Sequence, residues 1–394
     1  MRIAFLTIGN SRRSGYLNGD TLRNGGSGGS GTDTTNILVA EYLASQGHEV
    51  VLASEKLEPM LEQMYAEQGK HFDSGKIVRG VQYCNLEFEG VNNLEFDILH
   101  TCLWFHDYDK LPIKVTKALI YHQHMQWTYG IGEMLAFVKE HNLKLGFVDI
   151  SEWQRSKSQG TVDHAKREWD KVYQTLIPNP IMDDVMKEVL ATNPQKKKNK
   201  FIFHAGWARG GDVALSAVRE LDLPGKEFHA YDYLMCTHDH KDEFFFRHNG
   251  QDKKTVFTNL AESEYFLYPL YTPYKNVHLD TFSCVVAEAI ALGVTVISYP
   301  VGALPENFSG FVYWLPLPEG VTQEEMDNTL LYEDPEGKFN VAEPIKSAIK
   351  YLEANPDERK LLAEKGYEVM MKNFSTEVVG QKWVQFINEM LNEA

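Results

Sequence analysis

No run of 18 apolar residues occurs in this sequence of 394, so no segment is expected to cross a membrane as a helix. Cysteine is scarce. Cys84, Cys102, Cys236 and Cys284 stand far apart, without paired metal-ligand spacing, which suits a reducing compartment. Positive charge is short as well. The 39 Lys and Arg against 55 Asp and Glu leave a formal net charge of −16, which argues against nucleic acid as the main partner and against broad adsorption to anionic lipid. The opening MRIAFLTIGN has too short an apolar run for a signal peptide and no cleavage site. No GxSxG elbow follows a strand pattern. These absences leave a soluble, cytoplasmic globular protein, long enough for two or three domains.

What is present alternates between apolar runs and amphipathic stretches. Ile3–Ile8 reads as a buried parallel strand, followed by a long polar loop ending NGGSGGSGTDTTN. Thr32 or Asp33 can cap the next helix, whose inward face is Ile37, Ala40 and Ala44 and whose stop is Gly47. Glu49–Ala53, Phe96–Thr101, Ala118–Tyr121 and Gly146–Ile150 continue as strands, the third running into HQHMQW. A helix over 182–192 and a solvated lysine run precede a second series: Lys200–Phe203, Glu227–Ala230, Thr255–Phe257, Tyr265–Tyr268 and Val294–Tyr299. Strands alternating with helices twice over predict an α/β chain of two doubly wound parallel sheets, with a cleft between their C-terminal edges. The last helix, Thr376–Asn392, shows Trp383, Ile387 and Met390/Leu391 on one face.

The stretch 277–306, VHLDTFSCVVAEAIALGVTVISYPVGALPE, organises the rest. It reads as a loop, a helix from about Ser283 to Leu292, a stop at Gly293, a buried strand and a second loop reaching Glu306. Asp280 precedes the helix and Glu288 lies inside it, with seven residues between. A helix start offers unpaired N–H groups and partial positive charge to an anion, and a carboxylate further in can accept bonds from two neighbouring hydroxyls. Phosphate at one end and a ribose at the other describe a sugar-nucleotide site. The bland alternative is an ordinary αβ unit with one acid steadying its helix.

Acid–x7–Glu, followed by Ala-Ile-Ala-Leu-Gly and a Val-Ile strand, resembles the donor motif of retaining GT-B glycosyltransferases, family four above all. The resemblance implies two Rossmann-like domains facing a central cleft. Residues 1–180 would form the acceptor-side domain, 181–375 the nucleotide-sugar-binding domain, and 376–394 a helix packing back on the first. It implies metal-independent transfer, with no cofactor, from a UDP- or GDP-sugar to a hydroxyl of a glycan or other acceptor. It assigns the transferred sugar to Asp280 (one methylene shorter than the usual Glu), the ribose to Glu288, and donor contacts to Thr281, Phe282 and Ser283. Arg209, in RGGD, resembles the element whose cation holds the donor diphosphate, and the family's second Arg falls at His204. Ser30-Gly31 occupies the Gly-Gly position where bare backbone nears the phosphates. His124 matches the His of Thr-x-His near the transferred sugar, with His122 in place of the Thr. His122, His204 and Glu306 stand beside these as further candidates.

Two other readings compete. The glycines from Gly26 to Gly31 spell GxGxxG, which would suit an NAD-dependent nucleotide-sugar epimerase or oxidoreductase, but about 17 residues separate Ile8 from Gly26. Asp280 and the missing second cation suit an inactive sugar-nucleotide-binding homologue. Cys236, His238 and His240 fit no structural zinc spacing.

Overall fold

Continuous apolar runs need cover on both faces, and the computed structural model shows how they obtain it. It describes residues 1–7, 17–24, 30–54, 74–85, 95–102, 113–126, 128, 130–231, 241–248, 251–270, 279–317, 322–324 and 342–392. The chain forms two compact units, residues 1–180 with 376–394, and residues 181–375.

Unit 1 is built on eight strands: β1 (Arg2–Thr7), β2 (Glu49–Ser54), β3 (Lys76–Val78), β4 (Val81–Asn85), β5 (Glu95–Cys102), β6 (Lys114–His122), β7 (Lys144–Asp149) and β8 (Val172–Leu176). Their order is β3-β4-β2-β1-β5-β6-β7-β8, parallel throughout except for the β3–β4 edge pair. Ala4, Val51, Leu119 and Phe147 are fully buried in the core cluster on this sheet. The last helix, Thr376–Asn392, buries Trp383, Phe386, Ile387 and Met390 in this unit. It can do so because Gly380 lies flat against the Tyr42 ring and Gly146 leaves room for Met390 and Phe386. Lys144 Nζ also donates to the Met390 carbonyl at 2.8 Å.

Unit 2 carries β9 (Lys197–His204), β10 (Glu227–Tyr231), β11 (Phe245–His248), β12 (Ser263–Tyr268), β13 (Thr295–Ser298) and β14 (Val312–Trp314). The order β11-β10-β9-β12-β13-β14 is all parallel, the doubly wound 3-2-1-4-5-6 arrangement. The strand order reverses between β9 and β12, so ligands are expected beyond the C-terminal ends of those two strands.

One expectation is corrected. Thr255–Phe257 is not a strand but lies in the helix Lys253–Glu262. Asp252 caps it, accepting from Thr255 N at 2.7 Å, and Val256, Phe257, Leu260 and Ala261 form its buried face. That spacing is a helical stripe, and three β-branched or aromatic residues in a row masked it.

Candidate functional site

In unit 2 the reversal point gathers the residues flagged on chemical grounds. Arg209 ends a short 3-10 turn, Trp207–Arg209, just beyond β9. Gly210 follows at φ 104, a left-handed conformation that suits glycine, and Gly211 lies against the Trp207 ring where a Cβ would collide. The turn therefore needs both glycines to aim Arg209. Arg209 Nη1 donates to Tyr268 Oη at 2.9 Å and also contacts Asp280 Oδ1. Tyr268 Oη, at the end of β12, donates to Asp280 Oδ2 at 2.6 Å. Arg209 and Asp280, 71 positions apart, thus meet over one phenol.

Asp280 is held from behind as well. The loop after β13 turns at Gly302, φ 60, where a Cβ would stand 2.6 Å from the Asp280 carbonyl oxygen. The Ala303 N–H donates to that same oxygen at 3.0 Å. Glu306 lies exposed on the short helix Leu304–Phe308 that this loop begins.

The helix Cys284–Ala291 starts without a side-chain cap. Its N-cap Ser283 sits at φ 71, a strained backbone for a residue with a Cβ, and its Oγ has no partner. The Ser283 hydroxyl thus caps none of the first N–H groups of the helix. Thr281 is buried beside them, whereas Phe282 points into the interior, with ring centroids 5.0 Å from Phe374 and 5.9 Å from Phe308. Phe282 is therefore an anchor, and only its backbone can face a ligand.

Glu288 departs from expectation. Placed on a cleft wall by its motif, it is wholly buried, and both carboxylate oxygens accept from Lys253 Nζ at 3.0 Å. Burial raises its pKa, and the Lys253 charge pulls it back. His204, at the end of β9, cannot replace the missing second cation. Burial first, and then the Lys253 charge, lower its pKa to about 3, so it is neutral near pH 7. The second positive charge of the region is Lys253, which the sequence reading missed by taking its helix for a strand. Asp252 as a cap was the available signal.

Unit 1 brings other candidates together. His122, the last residue of β6, and His124 just beyond it lie buried with His100 of β5. His122 Nδ1 is 3.4 Å from His100 Nε2 and 3.2 Å from His124 Nε2. The Trp383 ring packs on His100 and His122, with centroids 5.4 Å and 4.9 Å away. Burial depresses all three histidines, His100 and His124 to about 3, so the cluster is neutral. His100 and Trp383 were not among the expected site residues.

Gly31 is the first residue of the helix Gly31–Ser45, whose cap is Ser30 rather than Thr32 or Asp33. Ser30 Oγ accepts from Asp33 N at 3.1 Å, and the Asp33 carboxylate accepts from Ser30 N at 3.1 Å. A carboxylate already occupies this helix start. Gly26 and Gly28 lie outside the described residues, as do Cys236, His238 and His240. The helix Gly19–Asn24 does intervene between β1 and the glycines, which removes the strand-to-glycine turn of a dinucleotide site. Among the described residues no group of three or more His, Cys, Asp or Glu side chains could hold a metal ion, and no helix is long and apolar enough to cross a membrane.

No family model matches the chain, and no curated protein matches it in sequence. Solved structures do match along its whole length. Sucrose-phosphate synthase from Thermosynechococcus elongatus is similar with a TM-score of 0.65 at 12% identity, over 99% of this chain and 98% of that one. HepE from Anabaena, in complex with UDP-glucose, is similar with a TM-score of 0.57 at 12% identity, over 99% and 100%. An α-glucosyltransferase, in complex with UDP-glucose and DNA containing an abasic site, is similar with a TM-score of 0.54 at 12% identity, over 98% and 99%. The chain has the α/β fold of the GT-B glycosyltransferases.

Proposed function

We propose that the protein is a retaining glycosyltransferase, moving a sugar from a UDP- or GDP-sugar to a hydroxyl of a glycan or other acceptor, without cofactor or divalent metal. The observation that carries this reading is the convergence of Arg209 and Asp280 on Tyr268 beside the helix that begins at Ser283 without a side-chain cap. A guanidinium has five N–H donors and can hold a carboxylate and a phosphate oxygen together. The helix N–H groups supply the rest of the charge stabilisation as the diphosphate leaves. Asp280, fixed at both oxygens and at its carbonyl, is the group for the transferred sugar. Glu288 receives the ribose hydroxyls, because a carboxylate offers about four lone-pair sites and the Lys253 bonds use two of them. His124 serves as a neutral hydrogen-bonding group for sugar oxygens.

The solved glucosyltransferase bound to DNA shows that this fold tolerates a nucleic-acid partner. The charge of −16 here favours a neutral or hydroxyl-rich acceptor instead. The scarcity of cysteine is what supports a cytoplasmic setting.

Calorimetric titration with UDP and with GDP, in buffer and in EDTA, tests the reading. One nucleotide should bind equally in both buffers, and Arg209→Ala should weaken it by about 10- to 100-fold, the scale of a lost charged hydrogen bond. Absence of binding by either nucleotide would remove the transferase reading, and loss in EDTA would remove its metal-free form.

A further inference from the structure

The opposite edge of the same sheet holds a cavity that the proposed chemistry does not use. Its volume is about 590 Å³, within the range of small-molecule sites. Lys196 just before β9, Glu264 near the start of β12 and Thr295 at the start of β13 line it. The site at Tyr268 lies at the other end of β12, whose six residues span about 17 Å.

Leu190, Leu292, Pro356 and Ala363 make much of the wall apolar. Charged groups face the cavity from two sides: Glu264 from β12, and Asp357, Arg359, Lys360 and Glu364 from the helix Pro356–Glu364. Two of the cations are occupied. Arg359 Nη1 pairs with Glu353 and lies 3.4 Å from Glu264, and Lys360 lies 3.4 Å from Glu364. Lys196 differs. Its Nζ donates only to backbone carbonyls, Ser263 at 2.9 Å and Leu292 at 3.5 Å, with no carboxylate in ion-pair range among the described residues. An ammonium with no carboxylate in ion-pair range, beside an apolar wall, matches a ligand with an anionic head and an apolar body.

We propose that this cavity is a second ligand site, for a small amphipathic carboxylate whose head pairs with Lys196 and whose chain lies on Leu190, Leu292 and Ala363. A phosphate-rich ligand suits it less, because Glu264, Asp357 and Glu364 share the wall.

The titration of Lys196 gives the proposal a signature. Desolvation lowers its pKa to about 7; Glu264 raises it and Lys200 lowers it, both by less. A bound carboxylate favours the charged amine and raises that pKa, so binding takes up a proton. Affinity is then greatest below about pH 7 and falls as pH rises above it.

Calorimetry with hexanoate and hexanol, at about pH 6.5 and about pH 8.5, reads this directly, since hexanoate is ionised throughout that range. Hexanoate should bind the intact chain several-fold more tightly at the lower pH, and at least tenfold more weakly to Lys196→Met. Lys360→Met should keep the affinity, and hexanol should respond to neither pH nor substitution. Circular dichroism and thermal unfolding of each variant confirm that it is folded. Hexanoate that fails to bind, that binds no better than hexanol, or that binds Lys196→Met as well as the intact protein would overturn the proposal.

Discussion

Of the helices that begin at a serine, Gly31–Ser45 in one unit and Cys284–Ala291 in the other begin differently. At Gly31–Ser45 the Ser30 hydroxyl accepts from Asp33 N and the Asp33 carboxylate returns a bond to Ser30 N, so the chain closes its own helix start. At Cys284–Ala291 the Ser283 hydroxyl has no partner, and the preceding acid, Asp280, is turned onto Arg209 and Tyr268. Both starts were expected beside donor phosphates. A helix start attracts an external anion only where the protein has not already placed a carboxylate there. The neighbourhoods follow suit. Unit 1 surrounds its candidates with neutral imidazoles, and unit 2 surrounds its own with Arg209 and Lys253.

The charged side of this comparison should break hardest. Lys253→Met leaves the Glu288 carboxylate buried without its counter-ion, which costs about 3–5 kcal/mol. Urea unfolding of Lys253→Met, Glu288→Leu and the double variant checks this, and the double variant should recover much of the loss. A single-variant cost under about 1 kcal/mol would show that the pair is not the buried charge described here. Glu288→Ala, which leaves the Lys253 ammonium without its partner, should also be destabilising.

The neutral side answers to acid. His100 and His124 titrate at about 3 in the folded protein against an ordinary 6.5, so the unfolded chain binds protons that the folded one refuses. Their stability is fully present above about pH 6.5 and is lost as pH falls towards 3. At about pH 5 the loss is about 2 kcal/mol for each imidazole. Melting curves between about pH 7 and pH 5 should show this fall, with a shallower slope in His100→Gln. Identical slopes would mean that His100 is not the buried base it is taken to be.

Much of the architecture was legible because parallel strands buried on both faces read as plain apolar runs, as in Lys200–Phe203 and Tyr265–Tyr268. Lys253 was lost where local propensity competed with period, since Thr255-Val256-Phe257 favours a strand while Asp252 and the 256/257/260/261 spacing favour a helix. The partners of the site acids were not legible at all. Arg209 meets Asp280 across 71 positions and Lys253 meets Glu288 across 35, and such pairings follow from sheet order rather than local pattern. Tyr268 read only as the end of a strand, although its hydroxyl joins the two flagged charges.

A smaller effect separates the helix starts themselves. Ser30→Ala removes a working cap and should cost about 1 kcal/mol in urea unfolding. Nucleotide affinity should not change, because that helix start is closed by Asp33. A matching loss of affinity would instead assign Gly31 and its helix to the phosphates.

The smallest effect has the opposite sign. Ser283 holds φ 71 without a capping bond in return. A residue with a Cβ costs about 1–2 kcal/mol in this region, and glycine removes that strain. Glycine also frees the unfolded chain, which takes back about 0.4–1 kcal/mol. Ser283→Gly should therefore stabilise the protein by about 0.5–1 kcal/mol, the net of those two effects. A higher urea midpoint at unchanged slope is the expected reading. The same substitution at Ser30 should lower stability by a few tenths of a kcal/mol, since there the hydroxyl caps the helix. Destabilisation at Ser283 would show that its hydroxyl bonds the helix start after all, and the two starts would then be alike.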